Sequence, residues 1–309
     1  MHRLGIDVGG TKVLGVRVDV DGDGAPTVVD HLRTPTPGPE GIIDVLAEVV
    51  DRLDPSGSAP VGVGVPGLVD RDGVLCFAPN LGGAVGLEVE ALLRARTGRP
   101  VDVDNDATCA AWGERQVGAG RGHDDMMLLT LGTGIGGGLV VDGRLLRGAH
   151  GFAGELGHVV IEPDGADCPC GQRGCWERYA SGGGLERMAI ERARRGDLDG
   201  VVARAGDPDA VRSEQVVDAA RHGDADAVDL LDEVGRWLGR GLASMVNIVD
   251  PDVILIGGGL ASAGDLVLAS ARAVLDTATL GAALRPTIPV ELAALGDRAG
   301  AIGAALLVR

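Results

Sequence analysis

The sequence predicts an α/β protein with two domains. The chain has 309 residues, which is long for a single domain and sufficient for two. Strand-like and helix-like segments alternate through the first hundred residues, an order that is typical of an α/β domain. A strand, a glycine turn and a second strand occur at residues 5–18 (GIDVGGTKVLGVRV) and again at residues 129–142 (LTLGTGIGGGLVVD). This repeated layout predicts a duplicated unit at the start of each domain.

Each element follows from the spacing of its apolar residues. The segment EGIIDVLAEVVDRLD (40–54) has apolar residues at helical spacing, whereas PVGVGVPGLVD (60–70) is an apolar strand that ends in turns. The other predicted elements are a helix at 86–97, a strand at 99–104, a helix at 106–116, largely helical chain at 182–249, a strand that runs into a glycine turn and a helix from 251, and a strand with a small-residue helix at 288–309.

The charge of the chain argues against nucleic acid as a partner. Asp and Glu number 45 against 28 Lys and Arg, so the net charge is −17, whereas phosphate contacts require basic residues. Phe, Trp and Tyr together number six, too few for platforms that stack single-stranded bases. No apolar run reaches the roughly 18–20 residues that span a bilayer, and the N-terminus lacks a secretory pattern. We therefore expect a cytoplasmic protein without membrane contacts, whose thiols are reduced.

Three glycine-rich loops each follow an apolar strand. They are Asp7–Lys12, which includes Gly9, Gly10 and Thr11; Gly132–Gly138, which includes Thr133 and Gly134; and Gly257–Gly259, with Gly258 at its centre. Glycines let backbone N–H groups approach an anion closely, and the threonines and the lysine add donors. One such loop is more often a hairpin turn, but three favour phosphate binding. The dinucleotide fingerprint and the P-loop do not apply, because the second loop continues into strand-like GLVVDGRLL and no G-x-x-x-x-G-K-[ST] string occurs.

Asn105 and Asp106 stand where the predicted strand at 99–104 gives way to a helix. Either residue is a candidate N-cap, and a helix N-terminus stabilises a carboxylate anion. The alternative is that Asp106 is a general base, which accepts the proton of a hydroxyl nucleophile during phosphoryl transfer. The residues alone leave both interpretations open.

Three of the five cysteines fall within the eight residues at the start of CPCGQRGCWERYAS (168–181). Cys168, Cys170 and Cys175 offer three soft ligands, and His158, ten positions upstream, offers a fourth. Such a set predicts a closed structural zinc site, with packed free thiols and a core histidine as the alternatives. Glu155 and Glu177 lie on either side of the cluster in sequence. Zinc would hold both carboxylates in place, and such carboxylates suit sugar hydroxyls.

Taken together, these motifs resemble the ROK family (repressors, open reading frames and kinases). The resemblance covers nearly the whole chain and is carried by DVGGTK (7–12), LGTGIGGGLVVDGRLLRGAHGFAGELGH (131–158), CPCGQRGCWERYAS (168–181) and LIGGGLA (255–261). It implies an actin-like, hexokinase-like ATPase fold, in which two duplicated ribonuclease H-like α/β domains flank a cleft. The implied limits are a small domain at 1–108, a large domain with the zinc loop at 109–296, and a C-terminal helix at 297–309 that returns to the small domain.

The resemblance also implies a reaction and a role for each site residue. The reaction is phosphoryl transfer from MgATP to the 6-hydroxyl of glucose, with Asp106 as the base, in a homodimer or homotetramer. Sugar contacts are implied for Gly67, Asn80, Asn105, Asp106, Glu155, His158 and Glu177. Phosphate, magnesium or adenosine contacts are implied for Asp7, Gly9, Gly10, Thr11, Lys12, Thr133, Gly134, Gly257, Gly258 and Gly259. Structural zinc is implied at His158, Cys168, Cys170 and Cys175, and in this family the histidine also touches the sugar.

Other functions remain open at this point. The substrate could be another hexose or an N-acetylhexosamine, and the donor could be polyphosphate, although LIGGGLA favours a nucleotide. A ROK repressor carries an N-terminal DNA-binding region, and a first phosphate loop that begins at Asp7 makes a non-catalytic sugar sensor the weaker expectation. A non-enzymatic zinc module would leave Asp106 and the three glycine loops without a role.

Overall fold

The computed structural model describes residues 2–20, 26–79 and 81–308. Asn80, for which a sugar contact is expected, lies outside the described residues. Of the helices in these ranges, none combines the length and the apolar character needed to cross a membrane. The chain divides into two compact units, Met1–Leu128 with Gly137–Gly154 and Ala293–Arg309, and Leu129–Gly136 with Glu155–Leu292. The domain limits at 108 and 296 stay predictions.

The described residues form twelve strands, most of them short. They are β1 (His2–Val8), β2 (Lys12–Asp19), β3 (Thr27–Pro35), β4 (Val61–Val65), β5 (Leu68–Val69), β6 (Leu75–Phe77), β7 (Val101–Asn105), β8 (Met126–Leu131), β9 (Ile135–Val141), β10 (Arg144–Leu145), β11 (Val253–Gly257) and β12 (Val290–Leu292).

The same residues form ten α-helices, of which α8 is the longest. They are α1 (Ile42–Leu53), α2 (Val89–Thr97), α3 (Asp106–Val117), α4 (Glu177–Ala180), α5 (Gly182–Ala193), α6 (Asp199–Ala205), α7 (Ser213–Arg221), α8 (Ala225–Val249), α9 (Asp265–Ala278) and α10 (Ala299–Leu307).

Two five-stranded sheets have the same order of strands. The first runs β3-β2-β1-β4-β7 and the second β10-β9-β8-β11-β12, so β1 and β2 occupy the positions that β8 and β9 occupy in the second sheet. These are the two strand–turn–strand segments that the sequence repeats, and the duplicated layout is confirmed. In the first sheet β1, β4 and β7 are parallel, so their carboxyl ends lie at one edge. Ligand sites in α/β sheets typically lie at that edge.

The C-terminal helix α10 packs directly on glycines of the first sheet. A Cβ at Gly5 would lie 1.9 Å from the oxygen of Ala301, and one at Gly62 would lie 1.8 Å from the oxygen of Ala304. Both contacts are with helix backbone, so only glycine allows the helix to lie this close to β1 and β4. The opposite face of the sheet, which includes Ile6, packs against α1 and α2 in a core of Val, Leu and Ile.

Most predicted elements form within a few residues of their expected limits, and β3 is the main omission. It pairs with β2 along its length but lies at the edge of the sheet, and most of its side chains are exposed or half-buried. Its sequence TVVDHLRTP contains charged residues and ends in proline, which is tolerated on an edge strand. An edge strand of this kind lacks the apolar alternation that sequence patterns detect.

Candidate active site and metal centre

Asn105 ends β7 and caps α3. Its Oδ1 accepts a hydrogen bond from the backbone N–H of Thr108 at 3.0 Å, so it is the N-cap. Its Nδ2 donates to the carbonyl oxygen of Gly67 at 3.2 Å, which brings two of the expected sugar-binding residues together. Asp106 is the first residue of α3, is half-buried, and accepts from the N–H of Ala107 at 2.8 Å. Its carboxylate therefore lies at the positive end of the helix dipole.

Asp7 lies at the carboxyl end of β1 and is electrostatically coupled to Asp106. Burial is the largest effect on Asp7 and, with the negative charges of Asp106 and Asp297, raises its pKa to about 7 against the opposing effect of Lys12. Asp297 in turn pairs with Lys12, whose Nζ is 3.5 Å from Oδ2, and with Arg33 at 2.5 Å. Several carboxylates thus lie close to one loop. Oxygen ligands of this kind suit Mg2+, which would relieve their repulsion.

The first glycine loop is a tight turn between β1 and β2. The N–H of Gly9 donates to the oxygen of Lys12 at 2.9 Å. Thr36 supports the turn from outside, because its hydroxyl donates to Gly9 at 2.6 Å and its N–H donates to Thr11 at 3.1 Å. Gly10 and Thr11 are exposed. The turn is thus a hairpin, as the simpler interpretation expected, and it also leaves an amide and a hydroxyl accessible to an anion.

The second glycine loop, between β8 and β9, contacts the residues that follow the cysteine cluster. The Ser181 hydroxyl donates to the oxygen of Thr133 at 3.0 Å. A Cβ at Gly134 would lie 2.2 Å from Oε2 of Glu177, so the absence of a side chain lets the loop lie against this carboxylate in its present position. The sequence predicted the loop and the glutamate as separate features, and the structure brings them together.

The third glycine loop lies against the start of the second. Gly258 has a φ of +85°, which favours glycine. A Cβ there would lie 2.5 to 2.6 Å from backbone atoms of Leu131, the residue that precedes Gly132. Gly257 is half-buried and Gly259 is exposed. The second and third loops therefore meet, as the expectation that both contact one nucleotide requires.

The predicted zinc ligands form a cluster. The ligand atoms of His158, Cys168, Cys170 and Cys175 all lie within 4.8 Å of one another. The Cys170 and Cys175 sulfurs are 3.6 Å apart, and the Cys168 sulfur is 3.8 Å from Nδ1 of the histidine. Tetrahedral zinc with Zn–S bonds of about 2.3 Å places its sulfur ligands about 3.8 Å apart. Burial raises the pKa of Cys168 and of Cys175, and a metal stabilises the thiolate in place of the proton. The donor set fits a closed structural zinc site.

His158 lies between the cysteine cluster and two carboxylates. Its Nδ1 is 3.8 Å from Oε1 of Glu177, and its Nε2 is 3.9 Å from Oε2 of Glu155. Burial raises the pKa of Glu155, Glu177 raises it further, and His158 lowers it. The Cys168 thiol donates to Oε1 of Glu177 at 3.2 Å. One imidazole therefore presents one nitrogen to the cysteines and the other to Glu155.

Aromatic residues after the last cysteine anchor the metal loop. Trp176 is fully buried, and its Nε1 donates to the oxygen of Trp237 in α8 at 3.1 Å. The Tyr179 hydroxyl accepts from the N–H of Ala166 at 2.7 Å, and its ring packs on Trp237 with centroids 4.7 Å apart. The WERY stretch (176–179) thus packs the metal loop against α8.

Two residues beside Asn105 were missed by the sequence analysis. Asp104 and Arg147 form an ion pair at 2.5 Å, although 43 positions separate them in the chain. The available signal was the place of Asp104, two residues before Asp106. Nothing local distinguishes Arg147 from the many other arginines.

Comparisons with known proteins show the family to which the chain belongs. A model of the ROK family matches residues 3–309. The chain is 40% identical to a glucokinase of Streptomyces coelicolor, over 99% of this chain and 97% of the relative. It is 37% identical to a glucokinase of Thermotoga maritima, over 100% of this chain and 98% of the relative. A ROK family glucokinase of Streptomyces griseus, solved in complex with glucose and AMPPNP, matches with a TM-score of 0.89 at 39% identity, over 100% of this chain and 99% of that chain.

Proposed function

The chain belongs to the ROK family and has its actin-like, hexokinase-like ATPase fold, and from that premise we propose that it is an ATP-dependent glucokinase with Asp106 as the general base. It transfers the γ-phosphoryl group of MgATP to the 6-hydroxyl of glucose. One observation carries the assignment of the base. Asp106 and Asp7 of the first glycine loop lie at the same edge of one sheet, close enough that the charge of one raises the pKa of the other.

Asp106 accepts the proton of the 6-hydroxyl as that oxygen attacks the γ-phosphorus. General-base catalysis of this kind contributes about 10²- to 10⁴-fold to the rate. Asn105 holds the base in place, because its side chain is bonded both to the first turn of α3 and to Gly67. We assign sugar contacts to Asn105 and Gly67 on the same basis.

Glu155, Glu177 and His158 bind the remaining sugar hydroxyls in this proposal. Each carboxylate can accept two hydroxyl hydrogen bonds, and Nε2 of the histidine faces Glu155. Zinc, held by the three cysteines and Nδ1 of His158, supplies a rigid cross-link and takes no part in proton or phosphoryl transfer. This arrangement explains why cysteines are concentrated beside the sugar-binding carboxylates.

The three glycine loops hold the nucleotide in this proposal. Gly9, Gly10, Thr11 and Lys12 contact phosphates from the first loop, and Thr133 and Gly134 contact them from the second. Gly257, Gly258 and Gly259 face the adenosine. When bound, Mg2+ neutralises charge on the phosphates and on Asp7, which is the general role of the metal in phosphoryl transfer.

We further propose that the enzyme is cytoplasmic and assembles as a homodimer or homotetramer. None of its five cysteines is in a disulfide, which suits a reducing compartment. Family membership supports self-association. Size-exclusion chromatography with light scattering measures the mass of the protein in solution. A mass near 31.4 kDa, that of one chain, would exclude both assemblies.

A coupled assay over glucose, mannose, fructose and N-acetylhexosamines tests this function, with ATP and then polyphosphate as the donor. We expect glucose with ATP to exceed the other pairs. Asp106→Asn is expected to lose about 10²- to 10⁴-fold in kcat while glucose binding, measured by calorimetry, is retained. Asp124→Asn removes an exposed carboxylate of the same unit and is the matched control. Near wild-type turnover in Asp106→Asn would refute the base assignment, and sugar binding without turnover of any sugar would indicate a sensor.

A further inference from the structure

An ion pair joins the strand that leads to Asp106 with the segment that precedes Glu155 in the chain. Nε of Arg147 donates to Oδ2 of Asp104 at 2.5 Å, and the two side chains are 33% and 12% exposed. The other oxygen, Oδ1, accepts from the backbone N–H of Asn105 at 2.9 Å. One carboxylate therefore connects Arg147 to the backbone at the start of α3.

A second arginine fixes the same segment. Nε of Arg71 donates to the carbonyl oxygens of Gly148 at 3.2 Å and Ala149 at 3.1 Å, and its Nη2 also donates to Gly148. Gly151 has a φ of +98°, and a Cβ there would lie 2.5 Å from a backbone oxygen of β5. The segment 147–154 therefore lies directly on the turn that follows β5.

These bonds form a closed ring. Nδ2 of Asn105 donates to Gly67, which the short strand β5 connects to Arg71. From Asn105 the ring continues through Asp104 and Arg147 and returns through Arg71. A connected set of hydrogen bonds can fix the relative positions of its members more tightly than isolated bonds do.

We propose that Asp104 and Arg147 are positioning residues of the phosphoryl transfer, and that their ion pair holds the start of α3 in register with segment 147–154. The inference rests on the proposed function, since the proposed base Asp106 is the group that this pair positions. The pair acts through the Asn105 backbone and does not contact substrate. Misplacement of reacting groups by about 1 Å costs on the order of 10²-fold in rate, so loss of the pair is expected to reduce catalysis.

The ion pair borders a cavity of 630 Å³ whose walls also include Trp112 and Leu306. Removing the Arg147 side chain therefore leaves Asp104 facing a space that free guanidinium can enter. Arg144 lines the same cavity, and its guanidinium makes no hydrogen bond or ion pair with any residue that the structure describes. It is the matched control, because it is an arginine of the same wall without the contact.

Steady-state kinetics test the pair first. Arg147→Ala is expected to lower kcat/KM for glucose by about 10- to 100-fold, the cost of a charged hydrogen bond. Millimolar guanidinium chloride is expected to restore part of the lost activity. Urea at the same concentration and sodium chloride at the same ionic strength are not expected to restore it. Asp104→Asn should show a similar loss without rescue, and Arg144→Ala should match wild type. Arg147→Lys retains the positive charge, and its kcat/KM is expected to lie between those of Arg147→Ala and the wild type. It replaces the alanine variant if that variant does not fold.

Hydrogen exchange separates this proposal from the proposed function. Amides of residues 105–108 and 148–154 are expected to exchange faster in Arg147→Ala than in Arg144→Ala. If these amides exchange equally fast in Arg147→Ala and Arg144→Ala, the positioning role is overturned. This holds whether Arg147→Ala retains its activity or loses it. A wild-type chain that phosphorylates no sugar refutes the proposed function, and the exchange rates still decide whether the pair holds the segment.

Discussion

Asp7→Asn is expected to make the protein more stable and inactive at the same time. The wild-type carboxyl has its pKa raised to about 7, first by burial, then by Asp106 and Asp297, while Lys12 opposes the rise. The folded protein therefore binds this proton more tightly than the unfolded chain does. Its favourable effect on folding is present at low pH and is lost as pH rises from the unfolded pKa, 3.8, to the folded one.

The size of the effect follows from the two pKa values. A rise from 3.8 to about 7 spans roughly three pH units, and each corresponds to about 1.4 kcal/mol. Ionised Asp7 therefore lowers the free energy of unfolding by about 4 kcal/mol above pH 7, relative to a neutral group of the same shape. Asparagine is that group, so the variant and the wild type should differ by this amount near pH 8 and converge near pH 4.

Urea unfolding across this pH range measures the difference, in magnesium-free buffer without a chelator that would extract zinc. Asp124→Asn is the control, because its carboxylate is 69% exposed and its effect should not follow the same pH dependence. Mg2+ should stabilise the wild type more than Asp7→Asn, since a cation relieves the same repulsion. Equal stability of Asp7→Asn and wild type near pH 8 would refute the electrostatic reasoning, and full activity of the variant would refute the role of Asp7 at the phosphates.

Two further changes test the metal loop and the first unit. Cys170→Ser is expected to lower the zinc content and to weaken glucose binding, as measured by metal analysis and calorimetry; full activity in a zinc-free variant would contradict the cross-link. Asp54→Asn removes a buried carboxylate. Burial alone would raise the pKa of Asp54, but hydrogen bonds from Ser56 and the charge of Arg99 outweigh that effect and lower the pKa overall. Asp54 and Arg99 form a buried ion pair with an N–O distance of 2.8 Å. We therefore expect the variant to lose about 3 kcal/mol of unfolding free energy at neutral pH. The loss should shrink as pH falls below about 4, and a pH-independent difference would contradict this reasoning.

Sequence patterns predicted the parts of the site that depend on neighbouring residues. Glycine turns, the cap at Asn105 and the cysteine spacing are set within a few positions, and all three form as expected. They could not reveal the pair of Asp104 with Arg147, because the side chains meet only after two distant segments fold together. The same holds for Asp297, which reaches Lys12 across 285 positions. Long-range charge pairs carry no periodicity that a single sequence displays.

The histidine gives a reason for the structural metal to lie beside the carboxylates that we propose bind the sugar. An imidazole that binds zinc through Nδ1 is fixed in orientation and tautomer, which leaves Nε2 as a donor aimed at whatever lies opposite. Opposite His158 lies Glu155, with Nε2 and Oε2 3.9 Å apart. On its other side Glu177 lies against the second glycine loop, where a Cβ at Gly134 would lie 2.2 Å from its Oε2. A metal held elsewhere in the chain would stabilise the fold equally well, but it would not orient the three side chains that we propose bind the sugar.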